Sequence, residues 1–267
     1  MSAPTVLDRI IVRKRVEVAA ALRAVPEGEL RARIADAPPP RPFRAALESA
    51  EGIAVVAELK RRSPSAGPIR PDLAPVEVAE AYRAGGAAAL SILTDSEDFG
   101  GSLDMLAEVR AAVPLPVLRK EFVVSEYQVL EARAWGADAV LLIAGVLGPR
   151  ELSTFAALAR SIGMEALAEV HTADELDLVK EAAIPELLLG INNRDLKLQE
   201  TRLSIFEELA PAGARLSGLL VAESGIATAA DAARMRAAGA RALLVGESLL
   251  RAADPAAALR ALREGAA

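Results

Sequence analysis

Glu58 and Lys60 are opposite charges two residues apart at the end of an apolar run, Ile53-Ala54-Val55-Val56-Ala57, just before the breaker-rich Ser63-Pro64-Ser65-Ala66-Gly67-Pro68. Side chains of a strand alternate in direction, so residues two apart share a face. The pair would point together from the carboxyl end of a buried strand, either as a salt bridge capping it or as acid–base groups facing a ligand. In α/β folds that end of a strand is where sites are built. Other chemistries are narrowed by composition. The chain has no cysteine, which removes disulfides, thiolate metal sites and thiol nucleophiles. Its single histidine, His171, excludes a multi-histidine metal site. Acid and base work falls mainly to Glu, Asp and Lys.

Comparable polar clusters follow other short apolar runs: Thr94-Asp95, Arg119-Lys120-Glu121, Glu169-Val170-His171, Asn192-Asn193-Arg194, Glu223-Ser224-Gly225 and Gly246-Glu247-Ser248. The run ending at Ile143-Ala144-Gly145 is apolar to its end. If Leu118 faces inward then so does Lys120, while Arg119 and Glu121 face outward and are expected to pair with each other. A partly buried Lys near other cations has a lowered pKa, which suits a general acid or a Schiff-base amine. His171 can share the face of Glu169 and is expected to make a structural hydrogen bond. Asp138, Asp174 and Asp231 sit at element boundaries and read as caps. Glu169 and Glu223 could supply an acidic pair for a metal, but Lys60 and Lys120 already bring positive charge, so no metal is expected.

The elements that must position these residues repeat strictly. Eight β-rich runs are expected: Ile53 to Leu59, Ala88 to Leu93, Pro116 to Arg119, Ala139 to Ile143, Glu165 to Glu169, Leu187 to Ile191, Leu219 to Ala222 and Ala242 to Val245. Ala-rich helical stretches fit between them, among them Val76 to Ala84, Ser125 to Trp135, Thr172 to Ala182 and Thr228 to Ala238. Strict alternation requires parallel strands joined by crossover helices. Gly86, Gly136 and Gly239 each end a helix just before a strand, spaced as two and then four units of about 25 residues. The spacing, a length of 267 residues and the lack of a GxGxxG after the first run favour a closed (βα)8 TIM barrel over an open dinucleotide-binding sheet. Loops after the seventh and eighth strands bind phosphate in many barrels, and here they carry Ser224-Gly225 and the opening of a short helix at Gly246-Glu247-Ser248.

Residues 1–50 read as an N-terminal helical extension packed on a barrel formed by residues 51–267. An amphipathic helix is expected from Thr5 to about Ala24, with Arg13-Lys14-Arg15 on its solvated face, followed by a hinge at Ala37-Pro38-Pro39-Pro40-Arg41-Pro42. No run of eighteen apolar residues and no signal peptide occur, so no membrane partner and a cytoplasmic location are expected. A formal net charge of −6 argues against general nucleic-acid binding.

The motifs closely resemble those of indole-3-glycerol phosphate synthases along essentially the whole chain. The most specific is Glu58-Leu59-Lys60-Arg61-Arg62-Ser63-Pro64-Ser65. It is supported by Leu93-Thr94-Asp95 with Phe99-Gly100-Gly101-Ser102, Leu118-Arg119-Lys120-Glu121-Phe122 with Glu126-Tyr127-Gln128, Ala168-Glu169-Val170-His171, Gly190-Ile191-Asn192-Asn193-Arg194-Asp195-Leu196 and Ala222-Glu223-Ser224-Gly225-Ile226. The resemblance implies a phosphorylated substrate, 1-(2-carboxyphenylamino)-1-deoxyribulose 5-phosphate, closed to indole-3-glycerol phosphate with loss of carbon dioxide and water and with no cofactor. It implies Lys120 as general acid, Glu169 as base and Lys60, oriented by Glu58, on the substrate carboxylate with Arg194. Asn192, Glu223 and Ser224 would arrange hydroxyls and charged groups. Phosphate would rest on Ser63, Gly225, Gly246 and the Glu247-Ser248 backbone, and the aromatic ring among Phe99, Phe122, Leu141 and Leu244. Implied partners are other tryptophan-pathway enzymes, with the chain a monomer or weak homodimer. Three positions depart from the family pattern: Arg62, Glu121 where Asp is usual, and Glu247, whose carboxylate would repel a phosphate. Two alternatives stay open from the residues themselves, a phosphosugar isomerase and a non-catalytic phosphosugar-binding scaffold barrel.

Overall fold

A computed structural model describes residues 5–195 and 200–265. Eight parallel strands close into a barrel: β1 (Ala54–Leu59), β2 (Ala89–Leu93), β3 (Val117–Lys120), β4 (Ala139–Ile143), β5 (Glu165–Val170), β6 (Leu188–Asn192), β7 (Leu220–Glu223) and β8 (Ala242–Val245). Each pairs with its sequence neighbours, and β1 closes the ring by pairing with both β8 and β2. The expected barrel is thus observed, with strand ends moved by a residue at several places. Leu196 of the sixth strand-end motif lies outside the described residues.

Thirteen helices accompany the strands among the described residues. Three precede the barrel: α1 (Val6–Ala24), α2 (Glu27–Asp36) and α3 (Phe43–Glu48). Around it lie α4 (Pro75–Gly85), α5 (Ser96–Phe99), α6 (Leu103–Ala112), α7 (Glu126–Ala134), α8 (Pro149–Ser161), α9 (Ala173–Ala182), α10 (Ser204–Gly213), α11 (Ala229–Ala237), α12 (Glu247–Arg251) and α13 (Pro255–Gly265). Their ends follow local chemistry. Ser102, Ser125 and Thr172 accept backbone N–H groups as N-caps, and Thr228 forms a capping box with Asp231. Gly86 stops α4 in the left-handed region at φ 87°.

Strand alternation divides the apolar residues between two layers. Val55, Ala57 and Leu59 pack outward against the helices, while Ala54, Val56, Leu118, Leu141, Leu167, Leu188, Val221 and Leu244 fill the barrel interior. The parity that sends Ala54 and Val56 inward also sends Glu58 and Lys60 inward, and the parity of Leu118 does the same for Lys120.

The residues before the barrel hold more structure than their periodicity announces. The α2 segment buries only Leu30, which packs with Tyr127 and Leu130 of α7, so it carries no apolar stripe to be read. The α3 segment is short, yet it buries Phe43 and Leu47 with the interior residues of the barrel. Contacts trace a strap from mouth to floor. Arg13 and Lys14 of α1 meet Asp95 beyond β2, α2 packs on α7, and the backbone N–H of Arg44 in α3 donates to Glu165 at the start of β5.

The expected solvated face of α1 is corrected at two of its three positions. Lys14 is 3% exposed, with its ammonium 2.7 Å from Asp95, 3.1 Å from Glu121 and 2.8 Å from Glu17. Arg13 reaches Asp95 and Asp98, and Arg15 alone stays exposed. Periodicity assigns charge to water, but here fully buried Asp95 offers a better partner. Asp138 is corrected as well. It caps no helix; wholly buried, it accepts from the N–H groups of Val117 (2.8 Å) and Arg41 (2.7 Å) and pairs with Arg110 (3.0 Å). It ties the chain entering β3 to the strap.

Candidate active site

At the carboxyl ends of the strands lies a cavity of about 390 Å³. That is the size of an ordinary small-molecule site. Glu58, Lys60, Lys120, Glu169, Asn192, Glu223 and Ser224 line it, together with Phe99, Phe122, Leu141, Arg194, Gly225, Leu244, Gly246, Glu247 and Ser248. Ser63 is the one expected position that does not. Its side chain turns back into its own loop, accepting the N–H of Ala66 at 3.2 Å, where Arg62–Ser63 and Gly67–Pro68 pair as a small hairpin.

The charged residues at the centre of the cavity are paired. Lys60 donates to Glu58 at 2.6 Å, and Lys120 donates to both Glu169 (2.7 Å) and Glu223 (2.9 Å). The expected surroundings of Lys120 are therefore reversed, because its close neighbours are carboxylates. Burial works to lower its pKa, but Glu169, Glu223 and Glu58 together outweigh burial and raise it. Burial also pushes both carboxyls up. For Glu169 the effect is overcome by Lys120 and His171, which hold it well below the usual carboxylate range. For Glu223, burial and the neighbouring Glu169 together outweigh Lys120, so it is raised. Two carboxylates sharing one ammonium favour this split, one ionised and one holding a proton.

Two inward glycines make room for these groups. A Cβ on Gly190 would stand 2.2 Å from Glu223 Oε1, and one on Gly246 would stand 2.7 Å from Glu58 Oε1. The carboxylates occupy the space that side chains would otherwise fill on β6 and after β8. Gly190→Ala is accordingly expected to displace Glu223 and lower turnover roughly 10²-fold with the fold retained, since small misplacements cost about that much. Steady-state kinetics beside far-UV circular dichroism would check it.

One wall is apolar, with Phe99 at the end of α5 and Phe122 after β3 lying 6.1 Å apart at a 40° tilt. Leu141, Ile143 and Leu244 complete it. The opposite rim is formed by the turns after β7 and β8. Ser224 and Gly225 both have positive φ, at 63° and 78°. Glu247, expected to repel an anion, is paired at 3.0 Å with Arg251 one turn later in α12. Arg251 itself lines the cavity and was not foreseen, although an acid followed four residues later by a base on a helix is a readable signal. Arg194 turns its Nε to Thr201 at 3.2 Å.

Three residues at or beside the site also differ from expectation. Arg119 and Glu121 do not chiefly pair with each other, their closest approach being 3.9 Å. Arg119 donates to Glu131 at 2.8 Å, while Glu121 accepts from Thr94 at 2.8 Å and faces Lys14. His171 does more than make one structural hydrogen bond. Its Nδ1 is 3.0 Å from Glu175, and its Nε2 is 3.1 Å from Glu169.

A closed parallel barrel with paired ammonium and carboxylate groups at its carboxyl mouth defines an acid–base enzyme of the (βα)8 class. A family model described as indole-3-glycerol phosphate synthase matches residues 7–262. The chain belongs to the indole-3-glycerol phosphate synthase family. It is 46% identical over 258 residues to the indole-3-glycerol phosphate synthase of Rhodopirellula baltica, covering 97% of this chain and 98% of that one. It is 50% identical over 242 residues to indole-3-glycerol phosphate synthase 2 of Streptomyces coelicolor, covering 88% and 90% respectively. Among solved structures, 3-hexulose-6-phosphate synthase superposes with a TM-score of 0.59 at 19% identity, over 81% of this chain and all of that one. That likeness concerns the fold alone.

Proposed function

We propose that this chain closes 1-(2-carboxyphenylamino)-1-deoxyribulose 5-phosphate to indole-3-glycerol phosphate, a lyase step of tryptophan biosynthesis, with the residues of the cavity in the following roles. The observation that carries the residue roles is the contact of Lys120 with both Glu169 and Glu223 in a cavity walled by Phe99 and Phe122. The aromatic ring lies on the Phe99, Phe122, Leu141 and Leu244 wall. Its carboxylate meets Lys60, which swings from Glu58, and Arg194. The phosphate rests on the turns at Gly225 and Gly246 to Ser248, with Arg251 balancing Glu247.

The ring carbon bearing the carboxylate attacks the ribulose carbonyl carbon, and the carbonyl oxygen takes a proton from Lys120. An ammonium with a raised pKa is a weak acid when free. A carbonyl oxygen entering between Lys120 and its carboxylates loosens the contacts that raise that pKa, so acidity grows as substrate settles. Carbon dioxide then leaves from the same ring carbon. Dehydration follows, with Glu169 removing a proton and Lys60 delivering one to the departing hydroxyl. Glu223, Asn192 and Ser224 hold the sugar hydroxyls. Ser63 joins the phosphate only if its loop turns toward the cavity. A cytoplasmic setting, tryptophan-pathway partners and a monomeric or weakly dimeric state belong to the same proposal.

Mixing the protein with this substrate should produce indole fluorescence. A flat trace with folded protein would transfer the barrel to the class of phosphosugar-binding scaffolds.

A further inference from the structure

The chain's single histidine has no part in the mechanism above, yet its ring stands between two carboxylates. His171 follows β5 directly and does not line the cavity. Its Nε2 lies 3.1 Å from Glu169 Oε1, in ion-pair range, although that nitrogen has no hydrogen bond of good geometry. On the other side, Glu175 Oε2 accepts from the His171 backbone N–H at 2.7 Å and stands 3.0 Å from Nδ1. Glu175 is in turn fixed by the first turn of α9, where its own N–H donates to the Thr172 hydroxyl.

Glu169 is therefore held at both oxygens by different groups, Oε2 by the Lys120 ammonium and Oε1 by the His171 ring. The first grip is on the cavity side and must loosen when substrate engages Lys120. The second lies behind the cavity lining and stays. The groups facing His171 are Glu169 from β5 and Glu175 from α9, with Lys120 and Glu223 one contact further on.

We propose that His171 is a positioning residue for the reaction, an imidazolium anchored by Glu175 that fixes the Glu169 carboxylate and keeps it ionised while Lys120 is occupied by substrate. This rests on the assignment of Glu169 as base. A neutral ring could present an N–H to only one of the two carboxylates, leaving the other facing a lone pair. Only the charged form presents a donor to each. Burial opposes the charged form, but Glu169 and Glu175 together outweigh it and bring the imidazole up to about 10.

With one histidine in the chain, imidazole nitrogen resonances report this ring without assignment. Wild-type protein labelled at histidine is expected to show an imidazolium at pH 8, and a neutral ring there would overturn the proposal whatever the protein turns over. Kinetically, His171→Asn is expected to lower kcat roughly 10 to 100-fold with KM little changed, the size of effect of a mispositioned catalytic group. The acid limb of its kcat profile should move to higher pH, as Glu169 takes up a proton more readily. Glu175→Gln keeps the ring and removes its anchor, so the imidazolium should titrate at lower pH, while the acid limb, where the ring is still charged, should move less than in His171→Asn. Glu175→Asp should restore part of the ring's shift. An acid limb unmoved in folded His171→Asn and a ring titration unmoved in folded Glu175→Gln, with wild-type turnover intact, would reduce His171 to a structural residue and leave the assignment of the base untouched.

Discussion

Lys120→Met is expected to abolish product formation while leaving substrate binding within a few-fold of wild type. General acids contribute about 10² to 10⁴ in rate. The loss should sit at the upper end of that range because the substitution damages two groups at once. Without the ammonium, Glu169 and Glu223 face each other with no cation between them. With His171 left as the cation on Glu169, the base would take up a proton more readily than in wild type and so be weakened as well. Glu58 and Lys60, which bind each other, would remain in place to receive the substrate carboxylate. Single-turnover indole fluorescence, with binding measured separately by calorimetry, would resolve the two halves of the prediction. Turnover near the wild-type rate would remove Lys120 from the role of general acid.

The second large effect is on stability, from Lys14→Met. The substitution takes the buried ammonium away from Asp95 and Glu121, both of which are buried. Breaking a buried ion pair by removing one partner typically costs about 3–5 kcal/mol. Arg13 still pairs with Asp95, so the lower figure is the appropriate one, and denaturant unfolding should register it. Adding Glu121→Gln should recover part of the loss, because Glu121 is the carboxylate left with no cation closer than 3.9 Å. Lys14→Met should also raise KM, because Asp95, which Lys14 holds, caps α5 and α5 ends at Phe99 in the cavity wall. Unfolding curves that coincide with wild type would mean the cluster contributes nothing net.

The strands were legible because a strand buried on both faces must be apolar throughout, and the polar residues interrupting each run marked its carboxyl end. Glu58, Lys60, Lys120, Glu169 and Glu223 could be found by parity alone. What surrounds them could not. The neighbours that set the ionisation of Lys120 come from β5 and β7, far along the chain, and periodicity carries no information about which strand a side chain leans toward. The same holds for Arg119, which finds Glu131 in place of adjacent Glu121. Lys14 was misjudged because a charged residue on a surface helix normally faces water, and its compensation lies beyond β2 and β3. Two details could have been caught locally. Glu175 lies four residues after His171 across a helix start, and Arg251 lies one turn after Glu247.

The glycines at 190 and 246 bear on how such a barrel could acquire a different reaction. Its carboxylates are packed as interior residues, in volume vacated by neighbouring strands, so strand positions cannot be varied one at a time. Enlarging either glycine evicts an acid, and shrinking either acid opens a void in the interior. Variation tolerated without loss of the acid–base set is confined to the turns that touch the substrate's periphery, at Ser224 to Ala227 and Glu247 to Arg251. A change of substrate is therefore accessible by single steps along the rim, whereas a change of chemistry requires paired substitutions across adjacent strands.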